Sequence, residues 1–240
     1  MQENLRDAWK NAAIKQSIIG LSIFWAINQV LVSSFPAYIK EVAAIDNTQI
    51  INGILAAAAI GVAIGSVFAA RVSRNYIEIG IIPIGVLGMS ACLLLLPFLS
   101  NLYAMGLLFV FFGFFGGCFI VPLNSLIQFH AKDNEAGHIL AANNFIQTLT
   151  MISFLGVTIA LSQVGVSNQY TFLLLGIITL LGSLWTLKTF PQSLLRYVIG
   201  SIFSSRYKLN VLGLNHMPSK GGVLLLGNHI SWIDCAILQM

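Results

Sequence analysis

The feature that most constrains this chain is where its charges are missing. No Asp, Glu, Lys or Arg occurs in residues 16–39, 47–70, 79–131 or 136–187, runs of 24, 24, 53 and 52 residues. A helix that crosses a bilayer needs about 20 apolar residues, so these runs hold one, one, two and two spans. The third divides near residues 97–101 (PFLSN) and the fourth near residues 162–169, which gives six transmembrane helices. Composition agrees. The chain is 57% hydrophobic and 8% charged, against about 25% charged in an ordinary globular domain, and a soluble fold so poor in charge could not cover its surface.

The remaining charges orient the spans. With six crossings both ends lie on one side, which then carries Arg6, Lys10, Lys15, Arg71, Arg74, Lys132 and everything from Lys188 onward. The other side keeps only Lys40 of the 12 basic residues. Basic residues concentrate on the cytoplasmic side, so both termini are expected there. The N-terminal segment does not read as a secretory signal, because Glu3, Arg6, Asp7 and Lys10 precede an apolar stretch too long for one. The net charge of +4 is small and its basic residues are not interleaved with aromatics, which argues against nucleic-acid binding. Cys92, Cys118 and Cys235 have neither disulfide nor metal-ligand spacing, and no metal site is expected.

Within the spans two patterns stand out. Ala57, Gly61, Gly65 and Ala69 recur every four residues, a small-residue face that lets helix backbones approach closely; Gly113, Gly116, Gly117 and Pro122 thin the fourth span. Amides are the second pattern: Asn28 and Gln29 in the first span, Asn124 and Gln128 in the fourth, Asn143, Asn144 and Gln147 in the fifth. Unpaired amides are costly in lipid, so these three helices either line a polar cavity that holds a substrate or hydrogen-bond to one another. No ionisable residue sits in mid-span, so a proton relay is not expected.

Six spans with cytoplasmic ends resemble half of a major-facilitator transporter, whose two halves carry six helices each. The segments FPAYIKEV (35–42) and IQFHAKDNEAGHILAANNFIQ (127–147) resemble the bacterial lysophospholipid transporter family, in which the Gln-x-His-Ala and Ala-Ala-Asn-Asn elements recur. The resemblance covers roughly residues 10–190 and aligns with that family's C-terminal half. It implies a lysophospholipid substrate, similar to lysophosphatidylethanolamine, in the bacterial inner membrane. One departure lies in GSVFAARVSR (65–74), which has Ala70 where the superfamily's loop signature usually has an acid.

After residue 190 the pattern changes. Residues 193–204 read as a short amphipathic helix, suited either to the membrane interface or to packing on a following domain. GGVLLLGNHISWID (221–234) then reads as strand, turn and helix start. In this setting Asp234 can fix the tautomer of His229 and leave its other nitrogen as a general base; the simpler reading is a loop histidine and a helix-capping aspartate. GNHISWID resembles the first motif of the phospholipid/glycerol acyltransferases, N-H-x-x-x-x-D. That resemblance implies His229 as the base that activates a glycerol hydroxyl and Asp234 as its orienting partner. The acyl donor would be an acyl-carrier-protein or coenzyme A thioester, with no bound cofactor.

The expected architecture is an all-α, six-helix half of a major-facilitator fold over residues 1–190. The start of a cytoplasmic α/β acyltransferase domain follows over residues 191–240. The pairing resembles bacterial fusions that move a lysolipid inward and reacylate it, with this chain a window across the joint that lacks the later acyltransferase motifs. On that reading the window alone neither transports nor acylates. The implied partners are lysophospholipid, the acyl carrier or acyl-CoA, and membrane lipids. The alternatives are an acyltransferase with a purely anchoring membrane domain, or a transporter with a degenerate tail.

Overall fold

The computed structural model describes residues 11–74, 76–131 and 135–206. Seven α-helices follow in order: α1 (Ala12–Ala43), α2 (Thr48–Val72), α3 (Ile81–Leu95), α4 (Leu102–His130), α5 (Ala136–Gln163), α6 (Asn168–Thr189) and α7 (Pro191–Arg206). A 3-10 turn, Leu96–Phe98, extends α3. The first six are long and apolar enough to cross a membrane, at the places where the charge-free runs put them. Both divisions inside the long runs are real breaks. Asn101 ends the first by accepting bonds from the amides of Tyr103 and Ala104, which caps α4. Asn11 and Asn47 cap α1 and α2 in the same way. The second break follows α5, where Gly165 takes a left-handed φ of 85° and its N–H bonds to the Ser162 carbonyl.

The bundle is a row backed by a pair. Helix α5 packs on α1, α1 on α4, and α4 on α2, the last being the most extensive contact; α3 and α6 pack on one another behind α1 and α4. Exchanging α1–α3 with α4–α6 maps the α1/α5 contact onto α4/α2 and α3/α4 onto α6/α1, and leaves α3/α6 and α1/α4 unchanged. That is the three-plus-three repeat expected within one half of a major-facilitator fold.

The small-residue face explains why α2 and α4 come so close. Gly61, Gly65 and Ala69 are buried. A Cβ on Gly61 would lie 2.0 Å from the Val110 carbonyl oxygen, and one on Gly113 2.0 Å from that of Ala58. Each helix thus presses its backbone into the space left by the other's glycines. The core between α1, α3, α4 and α6 is aromatic. Phe35 and Phe109 meet edge-on at 4.7 Å, Tyr38 and Phe172 at 5.0 Å. The Tyr38 hydroxyl, from the FPAYIKEV segment, is fully buried and donates to the Leu96 carbonyl at 3.0 Å, so α1 is tied to the turn that ends α3. Cys92 and Cys118 are buried among apolar neighbours, as small hydrophobes.

Pro191 opens α7 rather than merely ending α6, the favoured place for a residue without an N–H. Leu195, Val198 and Ile202 form an exposed apolar stripe along α7, the form of a helix that lies in the membrane interface.

Candidate functional site

Three sets of residues bear on function. The first, His229 and Asp234, lies outside the described residues, as do Cys235 and the strand and turn expected after residue 206.

The second set is the amides. They fall on three helices that are neighbours in the row, α5, α1 and α4. Asn28, Gln29, Asn124 and Gln147 are half-buried, Gln128 and Asn144 exposed, and Asn143 buried. Gln147 Nε2 donates to Asn143 Oδ1 at 3.0 Å, one turn apart on α5. Asn124 Nδ2 donates to the Ile120 carbonyl of its own helix at 3.0 Å. Among the described residues none of the seven bonds to a side chain on another helix, so the amides do not staple the bundle together. They also do not line its two apolar cavities, of about 320 and 230 Å³, which lie between α1, α3, α4 and α6. Six of the seven therefore stand on accessible surface of the row with hydrogen-bonding capacity to spare.

The third set was not anticipated from sequence. Glu78, in the α2–α3 connection, is 2% exposed. Its carboxylate accepts from the Gly80 amide at 3.0 Å, at the N-terminus of α3, where the helix dipole favours a negative charge. The guanidinium of Arg196 on α7 reaches the same oxygen at 3.5 Å and stacks over the Tyr76 ring at 5.0 Å. Burial, followed by the Glu78 carboxylate, pushes the Tyr76 phenol above its usual range. Ser73 Oγ accepts from the Glu78 amide at 3.2 Å and holds the connection in place. Where the loop signature lacks its acid at Ala70, an acid eight residues later pairs with a cation that arrives from beyond the last span. The pairing joins residues 118 positions apart, and a loop glutamate gives no local signal of it.

The comparisons with known proteins agree with the architecture. Residues 2–155 match the family model described as Major Facilitator Superfamily. The chain belongs to the major facilitator superfamily. It is similar to proteins named lysophospholipid transporter LplT. The relative from Klebsiella pneumoniae (strain 342) is 30% identical over 162 residues, covering 67% of this chain and 41% of that protein. The one from Photorhabdus laumondii is 27% identical over 188 residues, 77% of this chain and 47% of that protein. The chain thus spans less than half the length of the curated relatives it matches. No solved structure matches it. By fold and family this is a multi-pass membrane protein of the major facilitator superfamily.

Proposed function

We infer that this chain supplies one six-helix half of a bacterial inner-membrane lysophospholipid transporter and carries into the start of an acyltransferase that reacylates the delivered lipid. The observation that carries the transport reading is the amide-bearing open face of α1, α4 and α5. Amides with unused hydrogen-bonding capacity are expensive against lipid, and in this superfamily the path runs between two six-helix halves. A polar headgroup moving along that face supplies the partners the amides lack. The relatives named as lysophospholipid transporters supply the substrate class.

The acyltransferase part rests on GNHISWID alone. His229 takes the proton of the free glycerol hydroxyl as its oxygen attacks the thioester carbonyl, and Asp234 holds the imidazole in the productive tautomer. The acyl group passes from an acyl carrier protein or coenzyme A to the lysolipid, and the thiol leaves. With both termini cytoplasmic, the base sits on the side where such thioesters are made.

The test uses the full-length parent in proteoliposomes, with lysophosphatidylethanolamine movement and acylation read separately. His229→Ala is expected to stop acylation and leave transport intact, whereas Gln29→Leu with Gln128→Leu is expected to stop transport first. A parent that acylates but moves no lysolipid supports the anchoring alternative and refutes the transport reading. A parent that transports but never acylates removes the enzyme.

A further inference from the structure

The two apolar cavities of the bundle are one groove. They share Gly20, Phe119, Trp185 and Thr186 and run between α1 and α6 over the α3 and α4 floor. The deep part, about 320 Å³, is walled by Phe24, Ile27, Met89, Phe112 and Gly182. The shallow part, about 230 Å³, ends among Gln16, Ser17, His130 and Phe190. The wall residues Leu181, on the deep part, and Trp185, on both, are 60% and 46% exposed, so the groove opens at the side of the six-helix bundle.

The two ends differ chemically. At the deep end Thr179 Oγ1 already donates to the Leu175 carbonyl, and Thr186 Oγ1, on the wall of both parts, to that of Ser183, both at under 3 Å. At the shallow end Ser17 is 1% exposed, and among the described residues its hydroxyl has no hydrogen-bond partner. A buried hydroxyl without a partner is destabilising, and a ligand hydrogen bond relieves it. His130 Nδ1 lies 3.0 Å from the Leu126 carbonyl and donates there, which leaves Nε2 as the ring nitrogen open to a ligand. One hydroxyl that can donate or accept and one open ring nitrogen suit a ligand hydroxyl.

Size narrows the ligand further. From Ala13 to Ile27 the groove follows α1 for 14 residues, about 21 Å at 1.5 Å per residue. One leaflet of hydrocarbon is about 15 Å deep. A deep part of about 320 Å³ has room for an acyl-chain segment of on the order of ten groups or more.

We propose that this groove is a lateral binding site for a single-chain phospholipid, with the acyl chain along α1 toward Ile27 and Met89 and the free glycerol hydroxyl at Ser17 and His130. The site is separate from the amide face of the row. Its polar end lies at the end of the bundle where α6 passes into α7, the helix that leads to the acyltransferase motif. The choice of lysophospholipid rests on the proposed function; the groove and its hydroxyl do not.

The test is photolabelling of the full-length protein in nanodiscs of phosphatidylethanolamine and phosphatidylglycerol. The probe is a lysophosphatidylethanolamine with a diazirine in mid-chain, and adducts are mapped by mass spectrometry. Adducts are expected on the peptides that carry Ile27, Met89 and Gly182, with competition by unlabelled lysolipid and not by diacyl lipid. Gly182→Leu is expected to cut them at least tenfold. A Cβ there meets only Val86 Cγ1, at 3.9 Å, so the variant fills the groove without forcing the backbone. Ser17→Ala is expected to weaken lysolipid competition about three- to tenfold, the loss of one hydrogen bond. Label spread over the outer faces of α2 and α5 and unchanged by Gly182→Leu means annular lipid only, and overturns the site. Equal competition by diacyl lipid overturns the single-chain assignment. If Gly182→Leu fails to fold, competition on the unmodified protein still decides. Groove labelling without lysolipid transport leaves the site standing and removes the transport reading; transport without groove labelling does the reverse.

Discussion

Gly61→Ala tests the closest contact in the bundle. The added Cβ would lie 2.0 Å from the Val110 carbonyl oxygen and 2.9 Å from the Phe114 amide nitrogen. Ordinary contact begins at 3.4 Å, so α2 and α4 must part locally by about 1.4 Å (3.4 minus 2.0). No flexible side chain can absorb this, because both atoms belong to the α4 backbone. Parting the helices there also opens the contacts at Gly65 and Gly113, which are equally close. A gap of 0.5–1 Å already forfeits a quarter to a half of the dispersion energy, and in a bilayer that packing is the main force between helices. Forced overpacking costs about 1–3 kcal/mol and occasionally more; with three linked contacts, about 3 kcal/mol is expected. Gly53→Ala is the control. It lies on the same helix, nothing stands within 4 Å of its Cβ, and Ala is the better helix former by up to about 1 kcal/mol. Unfolding of the full-length protein in mixed micelles of rising SDS fraction, followed by circular dichroism, measures both. If Gly61→Ala falls within about 0.5 kcal/mol of Gly53→Ala, the backbone-to-backbone account of this interface is wrong.

Three further outcomes follow from the Glu78–Arg196 contacts and the charge pattern. Arg196→Met leaves the buried Glu78 carboxylate without its cation and is expected to free α7. Limited trypsin digestion should then cut at Arg206 faster than in the unmodified protein, and Arg196→Lys should restore most of the protection. Because Arg196 is 43% exposed, the loss in global stability should stay near 1 kcal/mol. The Tyr76 phenol is raised in the folded protein by burial and then by Glu78. Its contribution is therefore complete below the usual value of 10.0 and lost as pH rises through the higher folded value. Absorbance at 295 nm should show Tyr76 ionising above the usual 10.0, with release of α7 alongside; release before any tyrosine ionises contradicts that link. Single cysteines at positions 45 and 73, placed in a cysteine-free background, should label from opposite sides of the membrane, with position 73 cytoplasmic. Labelling from the reverse sides would invert the topology.

The helices were legible because the bilayer enforces them. A charge inside a span is so costly that a run without charges marks its own boundaries, and both breaks in the long runs fell where Pro97 to Asn101 and the Gly165 turn interrupt the helical pattern. The α2 glycine face was legible for a similar reason: only a missing side chain permits backbone contact, and a four-residue period puts the gaps on one side. Faces without such a strict requirement were less readable. The amides at residues 28, 29, 124, 128, 143, 144 and 147 were visible as residue types, but whether they met inside the bundle or stood on its open row depended on helix rotation. Sequence does not carry that rotation when the polar residues of α5 are spread around the helix rather than gathered on one side.

The groove and the Glu78–Arg196 pair were harder still, because neither is a property of one segment. Ser17 reads as an ordinary small polar residue at the start of a span; only the packing of α3, α4 and α6 makes it a buried hydroxyl without a partner among the described residues. Glu78 reads as a loop acid, and only the return of α7 to the α2–α3 connection gives it a cation. Both features sit at the same end of the bundle, where α6 passes into α7. This placement gives the two a common consequence. Phe190, the residue before α7, lines the polar mouth of the groove, while Arg196, one and a half turns into α7, holds that helix on Glu78. A lipid entering or leaving the mouth presses on the base of a helix whose far end leads to His229. Release of α7 by Arg196→Met is therefore expected to loosen photolabelling at the shallow end of the groove and leave the deep end unchanged. Equal labelling at both ends in that variant would show that the groove and the α7 anchor act independently.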